Sequence, residues 1–182
     1  MPYVAIGACC LIGVVFFVSS LSKVRGPRRF GDFVLSVRRV PVVPPRLAPV
    51  VAQSVLAVEF TVWILLVVPT PLTAAIGCAL AAVLLVVFVV GIASVLRQGT
   101  AVPCRCFGTT TVPLGLPHLI RNIILSTIAT AGAVSVLATP IPGEWAQHPG
   151  AFAAAIVGVL LGGLVVVLDD VLDLFLPPVP RP

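Results

Sequence analysis

The sequence predicts an all-α fold: a polytopic bundle of transmembrane helices, with four spans followed by a fifth near the C-terminal end. Three observations predict it. Hydrophobic residues fill 59% of the 182 positions and charged residues only 9%, whereas soluble domains carry about 25% charged residues. A domain of this length buries only about 70% of its chain surface, so this much apolar surface cannot be hidden from water, and soluble globular and disordered classes are excluded. The apolar residues also gather into runs near the roughly 20 that cross a bilayer, and a helix satisfies every backbone polar group within its own segment.

The runs can be taken in order. The first, Val4–Ser22, is too long for a cleaved leader and lacks a basic segment before it. The second, about Leu47 to Val68, is interrupted only by Gln53 and Glu59. Pro69-Thr70-Pro71 then breaks the helix, so the third run, Leu72–Leu96, is expected to return antiparallel to the second. Leu119–Ala138 is the fourth. Ala151–Leu168, the fifth, spans about 27 Å at 1.5 Å per residue. No internal repeat or low-complexity linker marks a second domain, so residues 1–182 read as one membrane domain.

The few charges are informative by position. The connection after the first span holds Lys23, Arg25, Arg28, Arg29, Arg38, Arg39 and Arg46; Arg97, Arg105 and Arg121 flank the next basic connection. The Pro69–Pro71 link and the Thr139–Gly150 loop hold no Lys or Arg. By the positive-inside rule the N-terminus lies outside and the basic connections, with Cys104 and Cys106, are cytoplasmic. The isoelectric point near 9.4 then reflects topology and anionic lipid headgroups rather than a nucleic-acid partner. Within the first connection Phe30, Phe33, Val34 and Val37 recur at helical spacing, which predicts a short amphipathic interfacial helix over about residues 28–40. An irregular basic anchor is the alternative. Asp169, Asp170 and Asp173 follow the fifth span and read either as partners of the arginines or as a solvated helix end.

Chemistry concentrates in Cys104-Arg105-Cys106-Phe107-Gly108. Two cysteines one residue apart close a small, strained disulfide ring, and strained disulfides are the labile, oxidising ones. The thiolate is the nucleophile of exchange, and an adjacent cation favours it; Arg105 supplies that cation between the two sulfurs. The competing readings are a soft-metal site, for which only His118 lies nearby as a further ligand, and two unreactive loop thiols. Cys9 and Cys10 in the first span and Cys78 in the third each lie about 9 Å below the outer boundary. They read either as a second thiol pair or as small apolar packers. Glu59 stands about 18 Å along the second span. Such a carboxyl is costly in lipid and faces a partner, a cavity or the bundle interior; desolvation there favours its neutral form. It is a candidate proton-linked group, a holder of a polar head such as a quinone's, or a packing residue. Gly158, Gly162 and Gly163 give the fifth span a small-residue face suited to close helix packing or homodimerisation. No Ser-His-Asp arrangement, phosphate-binding glycine loop or HExxH motif is present.

Ser22-Lys23-Val24-Arg25-Gly26-Pro27 with Phe30, placed after a first span, resembles the S-K-x-R-x-P-x-x-F start of MauE/DoxX-like membrane proteins. Cys104-Arg105-Cys106-Phe107-Gly108 is similar to the C-G-C-F-G signature of the MauE branch, and Glu59 and Arg121-Asn122 also fit the pattern. The resemblance covers about Tyr3 to Ala138. It implies a DoxX-like four-helix core and a redox-associated role in maturing an exported, disulfide-containing client such as an amine dehydrogenase subunit, with a thioredoxin-like companion. Arg105 stands where the family usually has glycine, which stiffens the segment and makes it more electropositive.

These readings converge on a membrane thiol-disulfide redox protein. Cys104 and Cys106 are the exchanging pair, Arg105 the thiolate stabiliser and Glu59 a proton- or quinone-linked group; no metal is required. A non-enzymatic assembly factor and a metal- or quinone-binding membrane protein are the alternatives. Disulfides form readily outside the cytoplasm, whereas the charge rule puts this pair inside. Either the pair relays electrons from a cytoplasmic reductant or the orientation is reversed.

Overall fold

The computed structural model describes residues 2–98, 115–138 and 150–175, the side chains of 2, 27 and 169–175 excepted. Cys104, Arg105 and Cys106 lie outside the described residues, as do the Asp169, Asp170 and Asp173 side chains. Six helices follow in order: α1 (Pro2–Val24), α2 (Pro27–Arg38), α3 (Ala48–Val67), α4 (Pro71–Arg97), α5 (Leu116–Leu137) and α6 (Ala151–Phe175). Five of them, all but α2, are long and apolar enough to cross a membrane. The described residues contain no strand.

Proline sets several boundaries. Pro71 and Pro117 sit in the first turns of α4 and α5, where a missing N–H breaks no helical hydrogen bond. Pro117 brings the start of α5 to Leu116, three residues before the apolar run expected at Leu119. Between α3 and α4, the Thr70 hydroxyl caps α4 by accepting from the Thr73 N–H at 3.2 Å. The Thr73 hydroxyl donates back to the Val68 carbonyl at 2.9 Å. The two helices are thereby folded into the tight hairpin expected from the Pro-Thr-Pro link.

The core draws on four helices. Leu11, Ile12, Val15 and Phe16 of α1 meet Val62 of α3, Ala81, Leu84 and Leu85 of α4, and Leu125 and Ala129 of α5. Outward positions such as Val83, Val86, Val90, Ile120 and Ile124 stay exposed and apolar, as lipid contact requires. The amphipathic helix expected over about 28–40 is α2; it buries Phe33 and rests on α1 and α3.

α6 is carried on α1. A Cβ at Gly158 would run into the Gly7 carbonyl oxygen, and one at Gly162 would come within 2.9 Å of the Leu11 carbonyl oxygen. The Gly158/Gly162 face is therefore occupied inside the chain. Gly163 points into open space, with nothing within 4 Å of a Cβ built there.

Candidate functional site: a buried ion pair beside an apolar cavity

Ser19 and Lys23 are one turn apart on α1, so both present to the same neighbour. That neighbour is α3, at Glu59. The Lys23 ammonium donates to Glu59 Oε1 at 2.7 Å, to Oε2 at 2.8 Å and to Ser19 Oγ at 2.7 Å. Ser19 Oγ itself donates to Glu59 Oε1 at 3.1 Å. Lys23 is 2% exposed and Glu59 1%, so both charges are out of solvent. α2 closes the arrangement from above, placing the Phe33 ring 4.9 Å from the Lys23 nitrogen, within cation-π range.

One expectation is corrected here. Lys23 counts with the basic connection when the sequence is read alone; instead α1 continues to Val24 and the ammonium turns inward to the carboxylate. Glu59, expected to face a partner, a cavity or the bundle interior, meets an ammonium at ion-pair distance, level with the last two turns of α1. Ser19 was not singled out by sequence reasoning; its i, i+4 relation to Lys23 was the signal available. Of the other polar intramembrane candidates, Gln53 is exposed and contributes nothing to this network, while Arg121 joins the adjoining cavity.

That cavity has a volume of about 350 Å³. Val15, Phe16, Val55, Leu85, Phe88 and Ile92 give it apolar walls, and Ser19, Lys23, Glu59, His118, Arg121 and Asn122 supply the polar atoms along its lining. The buried Asn122 holds its amide by donating to the His118 carbonyl at 2.7 Å. The cavity thus lies between the C-terminal half of α1, α2, the N-terminal half of α3, the C-terminal half of α4 and the start of α5. α4 and α5 are the helices that the Cys104–Cys106 connection joins. Among the described residues no group of three His, Cys, Asp or Glu is placed to hold a metal.

At the opposite end of α1 and α4 the structure brings two thiols together. Cys9 Sγ and Cys78 Sγ are 3.6 Å apart, with no disulfide joining them. Cys10 is turned toward α6, its Cβ facing Gly158.

Five apolar helices and a buried charge pair define a multi-pass helical membrane protein. Residues 1–135 match the family model described as "Methylamine utilisation protein MauE", and the chain belongs to that family. It is 31% identical over 158 residues to the methylamine utilization protein MauE of Paracoccus denitrificans, an alignment covering 86% of this chain and 78% of that protein. The matched region takes in α1 to α5 nearly to its end and leaves α6 outside. No solved structure matches.

Proposed function

We propose that this protein is a membrane thiol-disulfide redox protein that serves methylamine utilisation by helping an exported partner acquire its disulfides. The observation that carries the reading is Cys104-Arg105-Cys106-Phe107-Gly108 in a chain of the MauE family. Cys104 and Cys106 form the exchanging pair. In each turnover a cytoplasmic dithiol reduces the Cys104–Cys106 disulfide and leaves as a disulfide itself; the two electrons then pass to the disulfide of a thioredoxin-like protein on the other side, which becomes a dithiol and resolves the mispaired disulfides of the client. Arg105 favours the attacking thiolate. The basic connections, and with them the pair, face the cytoplasm by charge distribution, with electrons relayed across the bilayer.

The experiment replaces Cys104 and Cys106 with Ser, singly and together, and follows disulfide content in the amine dehydrogenase small subunit of the host. Loss of correctly oxidised subunit in every variant is expected. Unchanged subunit oxidation in the double variant abandons the redox role in favour of an assembly scaffold. Labelling both thiols from each side of intact cells with an impermeant maleimide tests the orientation.

A second reading gives Glu59 a proton- or quinone-linked role, and the cavity beside it is the observation that favours it. Its walls suit a hydrocarbon tail and its polar residues a quinone's oxygen-bearing head. Full activity in Glu59→Gln with a folded protein counts against it.

A further inference from the structure

We propose that Cys9 and Cys78 form a second redox-active thiol pair, oxidised reversibly to a disulfide by a quinone dissolved in the bilayer. The inference deepens the redox reading above, although its site shares no residue with Cys104 and Cys106.

The geometry is specific. The two cysteines are separated by 69 positions in sequence yet hold their sulfurs 3.6 Å apart. A disulfide bond is about 2.05 Å long, so closure asks for a movement of about 1.5 Å, within reach of side-chain rotation and a slight approach of the helices. The surroundings permit that approach. Ala5, Ala74 and Ala75 are buried beside the pair, and on α5 a Cβ at Gly132 would come within 3.3 Å of Cys78 Sγ. Small residues on all three helices let the two backbones draw together. Cys10 is the obvious competitor, but its side chain faces α6 and not α4.

Position decides the oxidant. Cys9 lies seven residues after Pro2 and Cys78 seven after Pro71, about 10 Å along their helices. Cys78 is fully buried and Cys9 half-buried, so a folded protein in the aqueous phase has no line of attack on the pair. A small lipid-soluble two-electron acceptor does. Both S–H bonds break and one S–S bond forms; the two electrons and two protons pass to the quinone, which leaves as hydroquinone. Cys78 is 19 residues, or about 28 Å, from Arg97 at the other end of α4, the end from which the Cys104–Cys106 connection departs. The second pair is thus a separate couple near the opposite membrane face.

The test uses the reduced full-length protein in lipid nanodiscs, treated with decylubiquinone, blocked with N-ethylmaleimide and digested without reductant. A Cys9–Cys78-linked peptide is expected, with one hydroquinone formed per linked pair. The link should persist in Cys104→Ser/Cys106→Ser protein and vanish in Cys78→Ser. Recovery of alkylated Cys9 and Cys78 from wild-type protein under quinone overturns the proposal, as does a disulfide that joins Cys10 to Cys78. Because the wild-type digest alone decides between these outcomes, a poorly folding variant cannot obscure the answer. Loss of the link in Cys104→Ser/Cys106→Ser protein overturns the independence of the two couples, while loss of client oxidation in that variant bears only on the function proposed above.

Discussion

Lys23 of α1 and Glu59 of α3 meet in a bidentate ion pair, at 2.7 and 2.8 Å, with both side chains excluded from solvent. Taking two charges out of water is expensive, and removing one partner leaves the other uncompensated at a cost of about 3–5 kcal/mol. Lys23→Met and Glu59→Gln are therefore each expected to destabilise the protein by that order. The double variant, which buries no charge, should recover most of the loss. Thermal unfolding of the four proteins in one detergent closes the cycle; additive losses in the double variant would show that the charges do not act as a pair.

Phe33 bears on the same pair from α2. Its ring lies over the ammonium, and a desolvated cation-π contact contributes about 2 kcal/mol. Phe33→Leu keeps an apolar filling but removes the ring, so it should cost about 1–2 kcal/mol in wild-type protein. Repeated in Lys23→Met protein the same substitution should cost clearly less. Equal costs in the two backgrounds would reduce Phe33 to simple packing.

The glycines of α6 give an internally controlled prediction. Gly158 and Gly162 lie against α1 backbone, whereas Gly163 faces open space. Gly158→Leu and Gly162→Leu should prise α6 from α1 and destabilise by about 1–3 kcal/mol, the range for overpacking. Gly163→Leu should be near neutral. Melting temperatures of the three variants suffice, and three similar values would contradict the packing of α6 on α1.

These cases show which parts of the molecule were legible in the sequence. Apolar runs fixed α1, α3, α4 and α5 to within three residues at each end, and the start of α6, because lipid leaves few alternatives for a run of that length; α6 continues to Phe175, seven residues past the end of its apolar run. The proline at 117 moved the start of α5 because it is tolerated in a first turn, which a hydropathy window does not register. The Gly158/Gly162 spacing announced a close helix contact, but the choice of α1 over a second chain depends on how α6 is threaded. Glu59 was legible as an anomaly; its partner was not. Lys23 sits where a span is expected to give way to a basic connection, and the six arginines of that connection mask its different role. Its inward turn depends on α1 ending level with Glu59, a relation between helices that no local pattern carries. The 3.6 Å approach of Cys9 and Cys78 is of the same kind: equal depth was countable, mutual facing was not.

Arg105 offers the most direct chemical test of the proposed exchange. A guanidinium between two thiols favours the thiolate through charge attraction, and only the thiolate reacts with iodoacetamide. In Arg105→Gly, which leaves a small uncharged residue between the cysteines, a smaller fraction of Cys104 and Cys106 is expected to be ionised near neutral pH. Alkylation there should slow by about tenfold for each unit by which the thiols rise. The sign fixes the rest of the profile. Removing a cation raises the pH at which the thiols ionise, so the two proteins should differ at neutral pH and converge in alkaline solution, where both are fully thiolate. Arg105→Lys keeps the charge and should follow the wild type. A Gly variant that alkylates at the wild-type rate across the whole range would leave Arg105 without an electrostatic role.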